Sequence, residues 1–391
     1  MTRRRWPAPL AALASLRLTV VLFALAMALV FAGTLAQVEL GVWEVVNRYF
    51  RSVIAWIDLQ LFVPRSVAEI PGRLPFPGGY LIGGLLLLNL IAAHVRHFSL
   101  APRRINVLVL HTGVVLLLVG ELVTGQFAEE GTMAIDEGAS ADHVEDIRSA
   151  ELVVIDPAPV DHDLVVAIPG RRLASGVTLS DARLPFAIAV TEWMANSRLR
   201  RAPAGEAAVA TTGAGLDWRA ENLAQVRGVD GGAVDAPSAH LVLSRDGKAL
   251  GSWLVSLHLS DPQPVEVDGR RYLIALRFTR TYKPYRVQLI DFRHDTFVGT
   301  DRPRNFSSRV RLIDPGRGID REAVIAMNEP LRHAGETFYQ SAFKPDNSGT
   351  VLQVVRNPGW LMPYFACGLV GVGMLLHFTL VLVRRPGKAA A

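Results

Sequence analysis

Two histidines of this chain stand inside long apolar runs. His111 lies within "INVLVLHTGVVLLLVGELVTGQF" (105–127) and His377 within "WLMPYFACGLVGVGMLLHFTLVLV" (360–383). At a helical rise of 1.5 Å per residue, His111 sits roughly 9 Å into its run, and His377 roughly 10 Å in from Arg384, so the two fall at a similar depth. An ionisable side chain in such surroundings is costly unless it faces protein or a cavity. A neutral imidazole with a free ring nitrogen is the usual axial ligand of haem iron, and Arg103 and Arg104, just before the run of His111, carry the charge that a macrocycle's propionates need. Simpler uses compete: each imidazole serves as a hydrogen-bond partner for a neighbouring helix, worth about 0.6 to 2 kcal/mol, and the two arginines set topology.

The remaining candidates are weaker. His94 and His97 end the run 79–97 beside Arg96, where side chains reach towards water. Glu121 is expected to be wetted or paired near the far end of its run, and Cys367 to be a small packed residue rather than a reactive thiol. His143, His162, His240, His258, His294 and His333 show no tight ligand spacing; the acidic "VDHDL" around His162 reads as a solvated turn.

The elements that position these residues are four apolar runs, at 18–38, 79–97, 105–127 and 360–383. Each is long enough to cross a hydrocarbon core of about 30 Å, and in lipid each has to be a helix. "MTRRRW" resembles the basic start of a signal peptide, but the 21 uncharged residues after Arg17 exceed a signal-peptide core, so the first run is read as a retained helix. Arginine and lysine cluster before the first span, between the second and third (Arg96, Arg103, Arg104), and after the fourth (Arg384, Arg385, Lys388). The positive-inside rule puts these clusters and both termini in the cytoplasm, with 39–78 and 128–357 outside. The expected organisation is a three-span region at 1–127, an extracytoplasmic domain at 128–357, and a last span and tail at 358–391.

That outer segment alternates short apolar runs ("ELVVID", "FAIAVTEW", "YRVQLIDF", "RVRLID") with turn residues, including Asp-Gly at 246 and 268, so it reads as mainly β with hairpins. Residues 198–237, rich in Ala and Gly, read as a long loop or partly ordered insertion. The chain has 391 residues, 50% hydrophobic, and a net charge of +5. Because the basic residues flank apolar runs, the charge is no argument for a nucleic-acid partner. One cysteine excludes an internal disulfide and the CxxC and CxxCH motifs, and no P-loop, HExxH or GxSxG is present.

The arrangement and several local words together resemble the ResB (also called CcsB) proteins of System II cytochrome c biogenesis. The words are "FAGTLAQ", "LLLLNLIAAHVRH", "LHTGVVLLLVG", "NFSSRVRLID", "MNEPLRHAGETFYQSAFKP" and "VVRNPGWLMPYFACGLVGVGMLLHF". The resemblance implies a non-catalytic or accessory subunit in the bacterial cytoplasmic membrane, working with a tryptophan-rich CcsA-type partner. Such pairs carry haem b outward and support its attachment to apocytochrome c, with the haem shared between subunits rather than held tightly by this chain alone. In the family one histidine of the ResB-like subunit and one of the partner hold the iron. His111 matches that position best, as the axial ligand, and His377 is a second candidate. The thiol-reducing cysteines of some members have no counterpart here. A rival reading is a membrane-anchored scaffold whose β domain recognises an outer partner and which handles no haem.

Overall fold

The computed structural model describes residues 8–64, 66–97, 105–160, 162–203, 205–226, 234–296, 303–344 and 348–383. Arg103 and Arg104 lie outside the described residues. The chain forms two compact units, the first mainly Met1–Glu129 and Arg356–Ala391, the second Glu130–Val226 and Gly232–Val355.

The first unit contains α1 (Leu16–Leu40), α2 (Gly79–His97), α3 (Ile105–Phe127) and α4 (Met362–Val383). All four are long and apolar enough to cross a membrane. Helix α1 exceeds the charge-free window because Ser15 caps it, accepting from Leu18 N at 3.3 Å, and Gly41 (φ 77°) ends it. The link between α1 and α2 is ordered. A helical turn (Val42–Val45) and a hairpin of β1 (Ile54–Asp58) and β2 (Arg73–Pro77) bury Val45, Tyr49, Ala55 and Ile57 against Leu29, Ala32 and Ala36 of α1.

Helices α3 and α4 pack antiparallel through small residues. The buried positions of α3 are Asn106, Gly113 and Gly120, spaced by seven and therefore on one face. A Cβ at Gly113 would stand 2.8 Å from Ala366 O, and one at Gly373 would stand 2.7 Å from Leu110 N, so both glycines are what lets the backbones meet. Cys367 lies off this contact stripe and is exposed, which corrects the expectation of a packed thiol.

The second unit is built from β3 (Glu129–Asp136), β4 (Ser140–Asp156), β5 (Leu164–Pro169), β6 (Val177–Leu179), β7 (Ala187–Met194), β8 (Ser197–Arg201), β9 (Trp218–Asn222), β10 (Ser238–Arg245), β11 (Lys248–Ser256), β12 (Gln263–Val267), β13 (Arg270–Thr296), β14 (Pro303–Asp314), β15 (Ile319–Ala326), β16 (Leu331–His333), β17 (Glu336–Phe343) and β18 (Gly349–Arg356). One sheet has the order β11-β10-β7-β6. A ten-stranded sheet has the order β15-β14-β13-β4-β3-β18-β17-β16, with β12 and β5 paired to β13 and β4. Both Asp-Gly pairs turn hairpins as expected, with positive φ at Asp246, Gly247, Asp268 and Gly269. Ala334-Gly335 makes the same turn between β16 and β17.

Two long strands serve two cores. Leu152 and Val154 of β4 with Tyr272, Ile274 and Leu276 of β13 face Ile188, Val190, Leu241 and Leu243 in the first core. Further along the same strands, Val144 of β4 with Tyr285, Val287 and Leu289 of β13 join Val310, Leu312, Phe338 and Leu352 in the second. The strand-like period of two in each run is what keeps these side chains on one face, and each buried aliphatic is worth about 1.5 to 3 kcal/mol. Between the cores the pairing slips, after Phe278 and again between Tyr282 and Val287. Opposite charges face each other across that strand pair: Arg277 donates to Glu151 and Arg280 to Glu145, each at 2.9 Å.

The stretch 198–237 is partly a hairpin rather than a loop. Strands β8 and β9 pair from Ser197↔Asn222 to Arg201↔Trp218, with Arg198 and Arg200 bound to Glu221 and Arg200 to Glu206. Arg219 is buried and donates to the carbonyls of Gly215, Trp218 and Ala207. Charge and carbonyl contacts replace the apolar period that the sequence lacks there, so hydropathy did not reveal the strands.

A polar knot lies in the second core. Lys283 donates to Glu336 at 2.6 Å, and the buried Tyr285 hydroxyl donates to the same carboxylate. The Tyr285 ring meets His333 edge-on at 5.0 Å, and His333 pairs with the buried Asp314 at 2.8 Å. Burial and the neighbouring Glu336 carboxylate push the Tyr285 hydroxyl well above its ordinary pKa, so it stays a donor.

Removing one partner of a buried pair strands the other. Glu336→Ala is therefore predicted to cost about 3 to 5 kcal/mol, seen as a lower thermal unfolding midpoint of the detergent-solubilised chain; an unchanged midpoint would refute the knot's structural weight. A second prediction concerns pH. His143, facing the carboxylate at 3.7 Å, and Arg280, the one contact at hydrogen-bond distance, hold Glu145 below the ordinary glutamate range. A carboxyl depressed in the folded state adds stability that is complete above its unfolded pKa and is lost as pH falls through the folded one. Midpoints measured against pH should fall less steeply on the acid side for Glu145→Gln than for the parent chain.

Candidate functional site

Helices α2 and α3 bring two imidazoles together. His94 Nε2 stands 2.7 Å from His111 Nδ1, with the rings edge-to-face at 4.8 Å between centroids. Beside the pair is a groove of about 430 Å³, lined by Ile91, His94 and Val95 of α2 and Leu108, Thr112 and Val115 of α3. The spacing explains the lining: positions i, i+3 and i+4 on one helix and i, i+4 and i+7 on the other each form one helical face. Thr112 does not make the groove polar, since its hydroxyl donates to Leu108 O at 2.8 Å within its own helix. The result is an apolar trough whose nitrogen-bearing group is the His94 imidazole, with His111 bonded to that ring rather than lining the groove.

At 2.7 Å between two neutral rings one proton is shared, so one nitrogen donates and the other accepts. Neither outer nitrogen, His111 Nε2 or His94 Nδ1, has a hydrogen-bond partner among the described residues. A ring nitrogen with a free lone pair in apolar surroundings can coordinate a metal or accept a proton.

His377 stands elsewhere. Its Nδ1 is 2.8 Å from Asn106 Nδ2, so it is level with Asn106, five residues and roughly 7.5 Å before His111 along α3. Asn106 shares the α4-facing stripe with Gly113, whereas His111 bonds to α2. The expected common layer of His111 and His377 is thus corrected: arginine-counted depth put them level, but the glycine-set register of α3 on α4 slides His377 towards the start of α3. The propionate partners expected at Arg103 and Arg104 fall outside the described residues.

The sequence places His94 among residues that reach for water, whereas the structure turns it to His111. The signal that could have found it is the pairing of Ile91-His94-Val95 with Leu108-Thr112-Val115 across a short link, which closes two helical faces on each other. A third polar group in the apolar helices, Asn89, is buried and satisfied: Thr19 donates to its Oδ1 at 2.6 Å, and its Nδ2 donates to Leu13 O at 2.6 Å and Ser15 O at 3.1 Å. Asn89 is a structural clamp between the start of α1 and α2. Among the described residues no group of three or more His, Cys, Asp or Glu side chains is placed to hold a metal ion.

In the second unit, a groove of about 470 Å³ is lined in part by Arg148, Arg171, Trp193 and Phe278. Its mixed basic and aromatic wall differs in character from the trough at His94.

Comparison with known proteins bears on the β unit. Residues 271–351 match the model of the ResB-like family. The chain is also similar to Protein NrfI of Wolinella succinogenes, 30% identical over 92 residues, which are 24% of this chain and 10% of that protein. The family match takes in most of β13 and runs through β17 into β18, the strands that carry Tyr285, Asp314, His333, Glu336 and most of the second core. His94, His111 and His377 lie outside it. Over this segment of its β unit, the chain is similar to the ResB-like family.

Proposed function

We propose that this chain is a membrane-embedded subunit of a cytochrome c biogenesis complex, in which the α2–α3 trough offers an imidazole to haem iron on its way across the membrane. The observation that carries the reading is a histidine pair at an apolar trough, in a chain whose β unit is ResB-like. Haem requires apolar walls and axial nitrogens, and the trough has the character of one such wall, with His94 lining it and His111 bonded to His94. It is open along one side, which suits a site completed by a second subunit, here a CcsA-type partner supplying the other wall and the other ligand.

In this reading His111 would hold the haem iron beside the groove-lining His94, and Ile91, Val95, Leu108 and Val115 would give the macrocycle apolar contact. Bound haem supplies the cargo that is attached to apocytochrome c, while this chain's residues bind and orient it. The four apolar helices lie in the bacterial cytoplasmic membrane, with the arginine-rich ends of α2 and α3 towards the cytoplasm and the β unit outside. The trough then faces the side from which haem is delivered, and the β unit serves partner or apocytochrome contacts. Arg103 and Arg104 are propionate partners in the same scheme.

The test is co-expression with a CcsA-type subunit and measurement of haem per purified complex for the parent chain and His111→Gly. Loss of most of the haem, with recovery on adding imidazole, is expected. Equal haem content without imidazole would rule out His111 as the ligand and favour an anchored scaffold.

A further inference from the structure

The words "LPFPGGY" lead into α2, and their two glycines serve a close contact. A Cβ at Gly78 would collide with Ser52 O, and one at Gly79 with Phe50 O, so the chain at 50–52 lies directly on the start of α2. Tyr80 N donates to Ser52 O at 3.2 Å and Gly78 N to Val53 O at 2.9 Å, which fixes that contact. Arg51 is held between these residues. Its side chain reaches the last turn of α3, where Gly125 leaves the space: a Cβ there would stand 3.4 Å from Arg51 Nε and 3.1 Å from Tyr80 Oη. The guanidinium and the hydroxyl meet over the same glycine.

Both groups keep donors in reserve. Arg51 Nε is buried without a hydrogen-bond partner, and among the described residues no carboxylate forms an ion pair with the guanidinium. Tyr80 Oη accepts from Gln126 Nε2 at 2.7 Å, and among the described residues its own proton has no acceptor. Glu121 stands one turn before Gly125 on α3 and does not pair with Arg51. The end of α3 carries a partial negative charge, yet among the described residues none of its carbonyls accepts from Arg51. A buried charged group left without a partner is costly, and such a group points to an ion or ligand that completes it.

We infer that Arg51 and Tyr80 hold the phosphate of a lipid headgroup, at the Gly79 end of α2 and the Phe127 end of α3. One phosphate satisfies both: the guanidinium offers a planar fork of N–H donors that matches two of its oxygens, and the phenol donates to a third. The surroundings favour a lipid over a dissolved anion. Trp43 and Trp56, in the same link as Arg51, are exposed, and exposed tryptophan at the end of an apolar helix marks headgroup level. Further along α1, Met27, Val30 and Phe31 are exposed as acyl chains would require. Basic groups between helix ends are a recurrent headgroup site. The inference rests on the membrane placement of the helices proposed above and is independent of the haem reading.

The deciding experiment takes the full chain in detergent, adds dioleoyl phosphatidylglycerol, and reads bound lipid by native mass spectrometry. Arg51→Gln is expected to bind that lipid about tenfold more weakly than the parent, and Tyr80→Phe about threefold more weakly. Dioleoylglycerol, which lacks the phosphate, should be retained by none of them. Gly125→Ala puts a Cβ at the meeting point without removing charge, and is expected to weaken retention at an unchanged unfolding midpoint, which separates a lost site from a lost fold. Equal retention by the parent and Arg51→Gln overturns the proposal, as does equal retention of dioleoylglycerol by the parent. Displacement by millimolar inorganic phosphate would make a dissolved anion the ligand and overturn the lipid assignment. Glu121→Gln should keep the lipid; if it and Arg51→Gln lower the midpoint alike and leave retention unchanged, Arg51 belongs to Glu121 and the proposal falls. Fractionation of the unextracted chain is read in parallel. A chain in the soluble fraction would remove the membrane reading, whereas a membrane-bound chain without the phosphate preference would remove this site alone.

Discussion

A polar group surrounded by apolar helices must find its partner inside the protein, because apolar surroundings offer none. That constraint organises the helical unit. Asn89 is met by Thr19 and two carbonyls, Asn106 by His377, and His111 by His94. Each contact joins two different helices or the start of one to another, so each polar residue also sets a register. Small residues do the remaining work: Gly113 and Gly373 allow α3 and α4 to touch backbone to backbone, and that approach places His377 against Asn106 rather than beside His111. The separation of the two imidazoles is therefore a consequence of packing, not of their distance along the chain.

The β unit follows a different logic. Its two cores share two strands, β4 and β13, which alternate apolar residues towards one core, slip register, and alternate again towards the other. Where the strands change partners, Arg277–Glu151 and Arg280–Glu145 hold the pairing by charge. The second core then closes over Lys283, Tyr285 and Glu336, a group that contributes stability only while complete, because any member left alone would be a buried polar atom without its partner.

The ResB-like segment coincides largely with this second core. What the chain shares with that family over 271–351 is thus a packed scaffold with a polar centre, while the imidazole trough is built by helices outside the segment. A scaffold is recognisable across distant relatives because alternation, turns and buried partners constrain many positions together. A two-residue dyad constrains few, and its meaning depends on helices that have to be packed before it exists.

Hydropathy and length alone determined the four apolar helices, since a charge-free run of that length has few other solutions, and alternation with Asp-Gly turns determined a mainly β unit. His111 stood out in the sequence because an imidazole among leucines and valines is expensive. Only the tertiary structure decided its partner. His94 sits seventeen residues earlier on another helix, and no periodicity within one helix reports a contact across two. The same holds for Asn106 with His377, for the β8–β9 hairpin built on arginine and glutamate, and for the exposed Cys367. Local chemistry is written in the order of residues, whereas the pairing of polar groups is set by the crossing and register of elements, which the order of residues specifies only through the whole fold.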